Sequence, residues 1–393
     1  MKRSLKEQNG TNSTDMRFSN KLLILNILRK QSLSRSELAR QMGLSRAGIT
    51  ILVEDLLQAE ILQEVGISKA ELGRRPMMLR IRADSFYAIG VSLTRRDCNI
   101  GILNIEGEFL TKQSVALPKE YKASELISML CSEAREMVKN SNVDTDRILG
   151  VGISTPGPVD VENGRVLSSD RFNKWSNVAI VEEMDALLPW HCYLQNTSIA
   201  RTMLEKNYGA GLPYKDFVYI KVADAIGGGV VIGDTLHTGL GQFGNEVGHM
   251  TIQFDGERCI CGNVGCLALY AAIPALLKRF ASAGFDSWKQ VVDEAYQGNS
   301  SALKIVQAES NYLAAAVVSI ANLLEPEAFI LAGDIDYRNN LLLSLVREQV
   351  DTTRMMRGKH NIDIVGANIT QDADLLAAAT IIVEKFYQGE FPL

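Results

Sequence analysis

The pattern of apolar residues changes near residue 85, and this change most constrains how the 393-residue chain can fold. Before residue 85, apolar residues recur at helical spacing in short stretches separated by tight turns. After it, strand-like apolar runs alternate with longer helical stretches, which favours an α/β fold with a largely buried mixed sheet. The remaining length, about 300 residues, favours two lobes in this second part.

The N-terminal part contains the pattern of a helix-turn-helix. A first amphipathic helix is predicted from Asn20 to Lys30. Ser34 or Ser36 opens a short second helix, about Arg35 to Met42, which stops at Gly43. Ser45 is placed to cap a third helix that continues to about residue 58. Strands at residues 61–65 and 78–82 would flank the basic hairpin tip Gly73-Arg74-Arg75-Pro76, which is typical of the wing in a winged helix.

Charge separates the two parts in the same place. Residues 1–85 carry 15 Lys or Arg against 9 Asp or Glu, whereas the remaining chain carries 26 against 37. A basic unit on an acidic body favours double-stranded operator DNA as a partner, although a solvated charged face and a winged helix used only for protein contacts remain alternatives. The predicted DNA-binding residues are Arg35, Ser45, Arg46, Ala47, Thr50, Arg74 and Arg75.

The body is predicted from alternating strands and helices. The clearest strands are residues 87–93, 99–103, 148–153, 217–222, 229–232 and 328–331, and the clearest helices are about 123–139, 197–207, 267–282, 301–323 and 373–387. We expect a disordered tail over residues 1–16, a winged helix-turn-helix over 17–82 and a two-lobed domain over 83–393. The chain has no long apolar stretch and no apolar secretory signal in its first fifteen residues, so a cytoplasmic protein without a membrane partner is expected.

Three of the six cysteines lie within eight residues. We name the segment that contains them, residues 249–266, the zinc knuckle. His249 precedes Cys259, Cys261 and Cys266, and one imidazole with three thiolates is a ligand set for tetrahedral structural zinc. Because protein ligands fill all four positions, the metal would shape the loop without taking part in catalysis. The alternative is a set of buried free cysteines beside a chance histidine.

Four motifs of the body together resemble the ROK family of repressors, open reading frames and sugar kinases. They are Leu194-Gln195-Asn196, Ile226-Gly227-Gly228-Gly229, the stretch from Gly239 to Glu246-Val247-Gly248-His249, and the cysteine knuckle. The head resembles that of the repressor branch at Ser34-Arg35-Ser36-Glu37-Leu38-Ala39, Gly43-Leu44-Ser45 and Gly73-Arg74-Arg75-Pro76. The resemblance implies a two-lobed actin-like ATPase fold, a sugar in the cleft, zinc on the four named ligands, and a homodimer or homotetramer.

The resemblance also identifies departures from the kinases. Family kinases have Asp after the residue matching Asn196, where this chain has Thr197, whose hydroxyl cannot act as a general base near neutral pH. Their Asp-x-Gly-x-Thr phosphate loop is Ser92-Leu93-Thr94-Arg95-Arg96 here, and Asp224-Ala225 replaces Thr-Gly before Ile226. We therefore predict no kinase activity and no functional ATP site. Gly227 to Gly229 remain, either as part of a phosphate loop or for close backbone packing.

The sugar side of the cleft is better kept. Asn196, Thr197, Glu246 and His249 are the predicted ligand-binding residues, with His249 serving zinc through one ring nitrogen and the sugar through the other. Asn196 could instead stabilise a turn, and Glu246 could cap a loop. Ala268 and Asn245 replace a family glutamate and glycine, so the ligand can differ from those of the kinases.

The leading hypothesis is a sugar-responsive, DNA-binding regulator, most simply a repressor, with a catalytically degraded kinase-like domain as its sensor. The first alternative is an active ATP-dependent sugar kinase with an accessory DNA-binding head. A second alternative is regulation by a protein partner, with a vestigial cleft.

Overall fold

The computed structural model describes residues 13–67, 77–94, 97–117, 121–169, 175–239, 244–353, 355 and 361–393. It begins with a head of three helices and a three-stranded sheet of order β1-β3-β2. The elements of the head are α1 (Ser13–Leu28), β1 (Leu33–Ser34), α2 (Arg35–Met42), α3 (Arg46–Gln58), β2 (Leu62–Ile67) and β3 (Met77–Ile81). The predicted wing tip, with Arg74 and Arg75, lies outside the described residues.

Capping residues set the bounds of the two central helices of the head. The Ser34 side chain accepts a hydrogen bond from the Glu37 backbone amide, and the Glu37 carboxylate accepts one from the Ser34 backbone amide, which forms a capping box for α2. Gly43 ends α2 in a left-handed conformation at φ 66°, and Ser45 caps α3 through the Gly48 amide. The predicted bounds of α2 and α3 match these caps.

Helix α1 begins at Ser13, seven residues before the predicted start, so the last four residues expected in the disordered tail are helical. Its first turn holds polar residues, and amphipathic periodicity does not mark such a turn. Residues 1–12 of the predicted tail lie outside the described part of the chain.

The first lobe is built on a five-stranded sheet of order β11-β7-β4-β5-β6, in which β11, β7 and β4 are parallel and β4, β5 and β6 antiparallel. A small sheet of β8, β9 and β10 lies beside it. The elements of this lobe are β4 (Tyr87–Leu93), β5 (Cys98–Asn104), β6 (Phe109–Val115), α4 (Ala123–Ser141), β7 (Ile148–Thr155), β8 (Val159–Asp160), β9 (Arg165–Ser169), β10 (Trp175–Val178), α5 (Ile180–Asp185) and β11 (Cys192–Asn196).

The second lobe repeats the strand order of the first. When the five strands of each main sheet are numbered along the chain, both sheets have the order 3-2-1-4-5, with the same parallel and antiparallel pairs. The elements that follow β11 are α6 (Thr197–Tyr208), β12 (Phe217–Val222), β13 (Ile226–Ile232), β14 (Thr235–His237), α7 (Ala268–Ala271), α8 (Ile273–Arg279), α9 (Trp288–Tyr296), α10 (Ser300–Leu324), β15 (Ala328–Gly333), α11 (Asn340–Thr353), β16 (Asp363–Gly366) and α12 (Ala373–Tyr387).

Helices α6 and α12 follow the fifth strands of the two lobes and cross between them. Helix α6 leaves the first lobe and packs on β13 of the second, whereas α12 leaves the second lobe and packs on β4 and β7 of the first. The two helices also pack on each other. Because they occupy equivalent places in two similar lobes, we name them the crossing helices.

The head is not an independent domain, because its apolar core continues into the first lobe. Head residues such as Leu25 and Leu79 share one buried cluster with Val383 and Phe386 of α12. Each of these four side chains is at most 3% exposed. The head and α12 therefore form one packed unit.

The predicted helix at 267–282 is wrong in its continuity. Two helices, α7 and α8, meet at Ala272, whose backbone is extended, and Pro274 sits in the first turn of α8. Proline lacks the amide that a continuous helix would need there, so the chain breaks before it. Within the described residues, no helix combines the length and apolarity required to span a membrane.

Candidate functional site

Helix α3 presents its first turns to solvent. Ser45, Arg46, Ala47 and Thr50 are all exposed, and the Thr50 hydroxyl donates to the Arg46 carbonyl at 2.8 Å. The opposite face carries the buried residues Ile49 and Val53, which hold α3 on the head. Four of the predicted DNA-binding residues therefore share one outward surface.

Arg35, the fifth described member of that set, is engaged within the head. Its Nη1 donates to Glu64 Oε1 at 2.6 Å, and a second carboxylate, that of Glu54, lies 4.0 Å away. A phosphate contact would have to compete with this ion pair. Arg40 is a better placed cation that the sequence reasoning missed, because it is exposed and lines a shallow depression together with Arg46.

The structure brings the four predicted metal ligands together. The donor atoms of His249, Cys259, Cys261 and Cys266 all lie within 4.8 Å of one another. Cys259 Sγ is 3.6 Å from His249 Nδ1, and Cys261 Sγ is 3.7 Å from Cys266 Sγ. A tetrahedral ion with metal–sulfur bonds of about 2.3 Å requires neighbouring sulfurs roughly 3.8 Å apart, so the cluster fits such an ion.

Loop geometry explains how one segment delivers three thiols. Gly262 and Gly265 have φ angles of 93° and 68°, which let the chain reverse twice between Cys259 and Cys266. The Asn263 amide nitrogen donates to the His249 carbonyl at 3.1 Å and to Cys266 Sγ at 3.5 Å. Asn263 thus supports the ligands from outside the cluster, and the cysteine spacing gave no sign of it.

The thiols differ in environment. Burial raises the pKa of Cys266 to about 12, with the neighbouring thiols adding to the effect, whereas a backbone hydrogen bond from Asn263 lowers the pKa of the exposed Cys261. A metal ion favours the thiolate of its ligands. The buried thiol therefore needs a cation beside it to ionise near neutral pH.

On the first lobe, Asn196 and Thr197 stand where β11 passes into α6. Asn196 Oδ1 accepts from the Ser198 amide at 2.8 Å and caps the helix, which is the turn-stabilising role considered from the sequence. Its amide nitrogen faces Gly157, where an added Cβ would lie 2.6 Å away. Thr197 is 7% exposed.

Three hydroxyls accompany that of Thr197 at the ends of the parallel strands. Ser92 pairs in register with Ser154, and Thr155 pairs with Asn196. Ser92, Ser154 and Thr155 are fully buried. Among the described residues, these three hydroxyls and that of Thr197 all lack a hydrogen-bond partner. We name the four residues the hydroxyl floor; two of them occupy positions where the resemblance placed kinase carboxylates.

The glycine triplet packs against protein. A Cβ on Gly227 or Gly229 would collide with the hydroxyl of Ser198 or Thr202 on α6, and a Cβ on Gly228 would lie 2.6 Å from the Tyr219 carbonyl oxygen. This is the close-packing alternative considered for the triplet. It lets β13 lie directly against α6.

Glu246, Val247 and Gly248 form a short segment that packs beside the start of strand β13. Val247 packs over Gly228, and a Cβ on Gly248 would collide with the Ile226 carbonyl. Both halves of the predicted sugar site therefore meet around the first residues of β13. Asn245 has a φ of 68°, a conformation that asparagine tolerates better than most side chains, which explains how it can replace a glycine.

His249 lies between the metal cluster and Glu246. Its Nδ1 lies beside Cys259, while its Nε2 is 4.0 Å from Glu246 Oε2. The Glu246 side chain is 62% exposed. One ring nitrogen is thus directed to the metal cluster and the other to an accessible carboxylate. That the second nitrogen serves a sugar stays a prediction.

A buried ionic network between the lobes was not predicted. Lys221 Nζ donates to Asp374 Oδ1 at 3.1 Å, and Arg201 lies 3.6 Å from the same atom. Burial acts to raise the pKa of Asp374, but the charges of Lys221 and Arg201 outweigh it and leave the pKa low. Nearby, burial raises the pKa of Asp336 to about 6. Lys221, Arg201 and Asp374 thus join β12 to both crossing helices.

Comparison with known proteins gives the family. A model of the ROK family matches residues 88–385. The xylose repressor of Bacillus spizizenii is 27% identical over 373 residues, covering 94% of this chain and 96% of that protein. The glucokinase of Thermotoga maritima is 30% identical over 314 residues, covering 76% of this chain and 97% of the enzyme.

A solved structure matches the head and the body together. It is a ROK-family transcriptional regulator described as a homologue of the Escherichia coli MLC protein, with a TM-score of 0.82 and 23% sequence identity. The match covers 95% of this chain and 97% of that one. The predicted combination of a winged helix-turn-helix with a two-lobed domain is therefore confirmed as the fold.

Proposed function

The chain belongs to the ROK family, and we propose that it is a sugar-responsive transcriptional regulator, most simply a repressor, that binds operator DNA through its head. The proposal rests on the combination, in one chain, of an exposed helix start in the head and a missing carboxylate in the body. Helix α3 exposes Ser45, Arg46, Ala47 and Thr50. Thr197, which the resemblance assigns to the position of the kinase carboxylate, is buried. The match to xylose repressors over both parts of the chain supports it.

In this proposal the head, about residues 17–82, reads the major groove with the start of α3. Arg46 bonds a guanine edge, Arg40 contacts phosphate, and Arg74 and Arg75 reach the backbone or the minor groove. Operator half-sites separated by whole helical turns require two heads, so the working form is a homodimer or homotetramer. Its place of action is the cytoplasm.

The ligand is a neutral carbohydrate or sugar derivative bound between the lobes of residues 83–393. Asn196, Thr197, Glu246 and His249 supply its polar contacts. Zinc on His249, Cys259, Cys261 and Cys266 is structural, since it orients His249 and fixes the loop. A hundredfold weakening of DNA binding requires the sugar to favour the incompetent form by about 2.7 kcal/mol, which a few hydroxyl contacts made in only one form can supply.

The test begins with purified full-length protein and a random pool of duplexes. We expect selection of a defined, two-fold related sequence and a loss of affinity with one of D-xylose, D-glucose or N-acetylglucosamine at fixed salt. Arg46→Ala should relax the preference at one base pair by about 1–3 kcal/mol, whereas the matched charge deletion Lys278→Ala on the exposed face of α8 should not. Equal behaviour of both variants and the parent would reject the proposal.

The second candidate is an active sugar kinase, favoured by the match to nearly the whole Thermotoga maritima glucokinase. Loss of a general base typically slows proton transfer by about 10²- to 10⁴-fold, so we propose that this chain does not phosphorylate sugars and binds no ATP for catalysis. A coupled assay with ATP and a hexose panel decides, because turnover above roughly 1 s⁻¹ would indicate a kinase.

A further inference from the structure

Both crossing helices end at the head. Tyr208 is the last residue of α6, and Tyr387 is the last residue of α12. The guanidinium of Arg29, directly after α1, lies over both rings, 4.1 Å from the centroid of Tyr387 and 5.4 Å from that of Tyr208. A cation within about 6 Å of an aromatic face is attracted to it, and a cation is also favoured near helix C-termini.

Arg29 is ion-paired at the same place. Its Nη2 lies 2.8 Å from Oε1 of Glu384 on α12, without the alignment of a hydrogen bond. The two side chains are only 15% and 13% exposed. Burial acts to lower the pKa of Arg29, but Glu384 and the two tyrosines outweigh it, so the guanidinium remains charged. A buried pair of this kind is costly to break by removing one partner.

Two further contacts fix the same end of α1. The Asn26 amide nitrogen donates to the Tyr387 carbonyl at 2.9 Å. Asp234, in the β13–β14 turn of the second lobe, lies 3.2 Å from Lys206 of α6 and 3.8 Å from Lys30 of the head. The end of α1 thus contacts both crossing helices and a loop of the second lobe.

The other end of α1 is tied to the helix that carries Arg46. Arg17 donates to Asp55 of α3 at 2.9 Å, and Lys21 lies 3.2 Å from the same carboxylate. Helix α6 begins at Thr197, directly after its cap Asn196 in the predicted sugar site, and its twelve residues extend roughly 17 Å to Tyr208. A continuous series of packed and ionic contacts therefore joins the sugar site to α3.

We infer that Arg29 is a positioning residue that holds the head against the ends of both crossing helices, so that sugar-dependent movement between the lobes changes the placement of α3. The inference rests on the proposed function. Each crossing helix leaves one lobe and packs on the other, so a rotation of the lobes displaces Tyr208 relative to Tyr387. Arg29 contacts both rings and cannot follow both, which makes the head respond to their relative position.

The test compares two head–body ion pairs in the full-length protein. Arg29→Met removes the charge and keeps an unbranched apolar stem, whereas the control Arg147→Met removes a cation of the first lobe that pairs with Glu60 of the head, away from α6. The measurement is the affinity of each variant for a duplex that the parent selects. It is made with and without the sugar of the panel that most raises the melting temperature of the parent protein.

For a parent whose affinity falls tenfold or more with sugar, we expect Arg29→Met to reduce that factor below threefold. Sugar affinity of the free protein, measured by calorimetry, should stay within threefold, a pattern that simple destabilisation would not produce. Reciprocity requires that DNA also lose its effect on sugar affinity in this variant. Arg29→Lys, which restores the charge, should recover part of the factor.

A full sugar response in Arg29→Met, or an equal loss in Arg147→Met, would overturn the inference. If the parent selects no duplex or shows no sugar response, the proposed function fails instead, and amide hydrogen exchange then tests the contact. Arg29→Met must speed exchange tenfold or more at the last turns of both α6 and α12, while Arg147→Met leaves them unchanged. Changes confined to the head would reject the role of Arg29.

Discussion

The metal cluster and the hydroxyl floor lie in the same domain, and they differ in how completely their polar groups are matched. In the cluster, four donor atoms converge within 4.8 Å, and Asn263 supports them from outside. On the floor, four buried hydroxyls have no hydrogen-bond partner among the described residues. The metal-ligand set is thus complete, whereas the floor leaves buried polar groups unmatched.

The difference indicates where ligand binding and catalysis make separate demands. Loop shape requires four metal ligands, and each of them is present. Phosphoryl transfer requires a carboxylate base, and the resemblance to the kinases assigns Thr197 to its position. Under the proposed function, the cleft keeps the geometry that recognises a sugar and lacks the group that would react with it.

The largest expected effect is the loss of metal from the cluster. Cys261→Ser removes an exposed ligand without disturbing the core, and we expect the zinc content to fall from about one to below about 0.1 per chain, with a lower melting temperature. Elemental analysis measures it. Cys131→Ala, which deletes a buried thiol of the first lobe, should keep its zinc. Equal zinc content in the parent and in Cys261→Ser would show that the cluster does not hold the metal.

Next in size is the support that Asn263 gives to the ligands. Asn263→Ala deletes the donor to Cys266 Sγ, and loss of such an outer contact typically costs about 10- to 100-fold in metal affinity. Competition with a chromophoric chelator measures it. Gln253→Ala, in the same loop, is the control and should change affinity less than threefold; an Asn263 variant as tight as this control would contradict the role.

The burial of the Asp336 carboxyl group leads us to expect a pH-dependent stability. The pKa of Asp336 is raised from 3.8 to about 6, so its ionisation destabilises the folded protein, and the penalty appears as pH rises from about 4 to about 6. Asp336→Asn should therefore be more stable than the parent by about 1–3 kcal/mol at pH 7.5 and equal to it below about pH 4.

Urea unfolding at several pH values measures this difference. Asp293→Asn is a control of opposite sign, because hydrogen bonds from Arg338 and Tyr337 lower the pKa of Asp293, so that its loss destabilises the protein near neutral pH. A pH-independent difference between Asp336→Asn and the parent would show that the Asp336 carboxylate has a compensating partner.

The smallest expected effect concerns the floor itself. Thr197→Val replaces an unpartnered buried hydroxyl with a methyl group of similar size, and we expect the free energy of unfolding to rise by about 1 kcal/mol. Thr202→Val is the matched control, since its hydroxyl donates to the Ser198 carbonyl at 2.8 Å and its loss should be destabilising. Destabilisation of both variants by the same amount would mean that the floor is as well satisfied as the rest of α6.

Local chemistry made parts of the molecule predictable. Gly43 and Ser45 marked the end of α2 and the start of α3, because capping depends on a few adjacent residues, and of the two candidates to open α2, Ser34 and Ser36, the structure selects Ser34. The metal ligands followed from residue type and spacing. Apolar periodicity predicted the inner strands of both main sheets and the helices α4, α6, α10 and α12, but not the parallel edge strands β11 and β16 or helix α11.

Contacts between distant segments could not be predicted in this way. Arg29 and Glu384 are 355 positions apart, and neither lies in a motif. The common strand order of the two lobes rests on hydrogen-bonded pairing and leaves no short repeat in the sequence. Asn263 reads as an ordinary loop residue until the fold places its amide beside a sulfur.

The shared apolar core of the head and α12 has a consequence for how the protein can be divided. Leu25 and Leu79 cover part of α12, so a fragment lacking the first eighty-two residues would present Val383 and Phe386 to water. Such a truncated sensor would be prone to self-association, and the head and the first lobe should melt in a single cooperative transition. Swapping heads between relatives would succeed only where the substituted surface fits this helix.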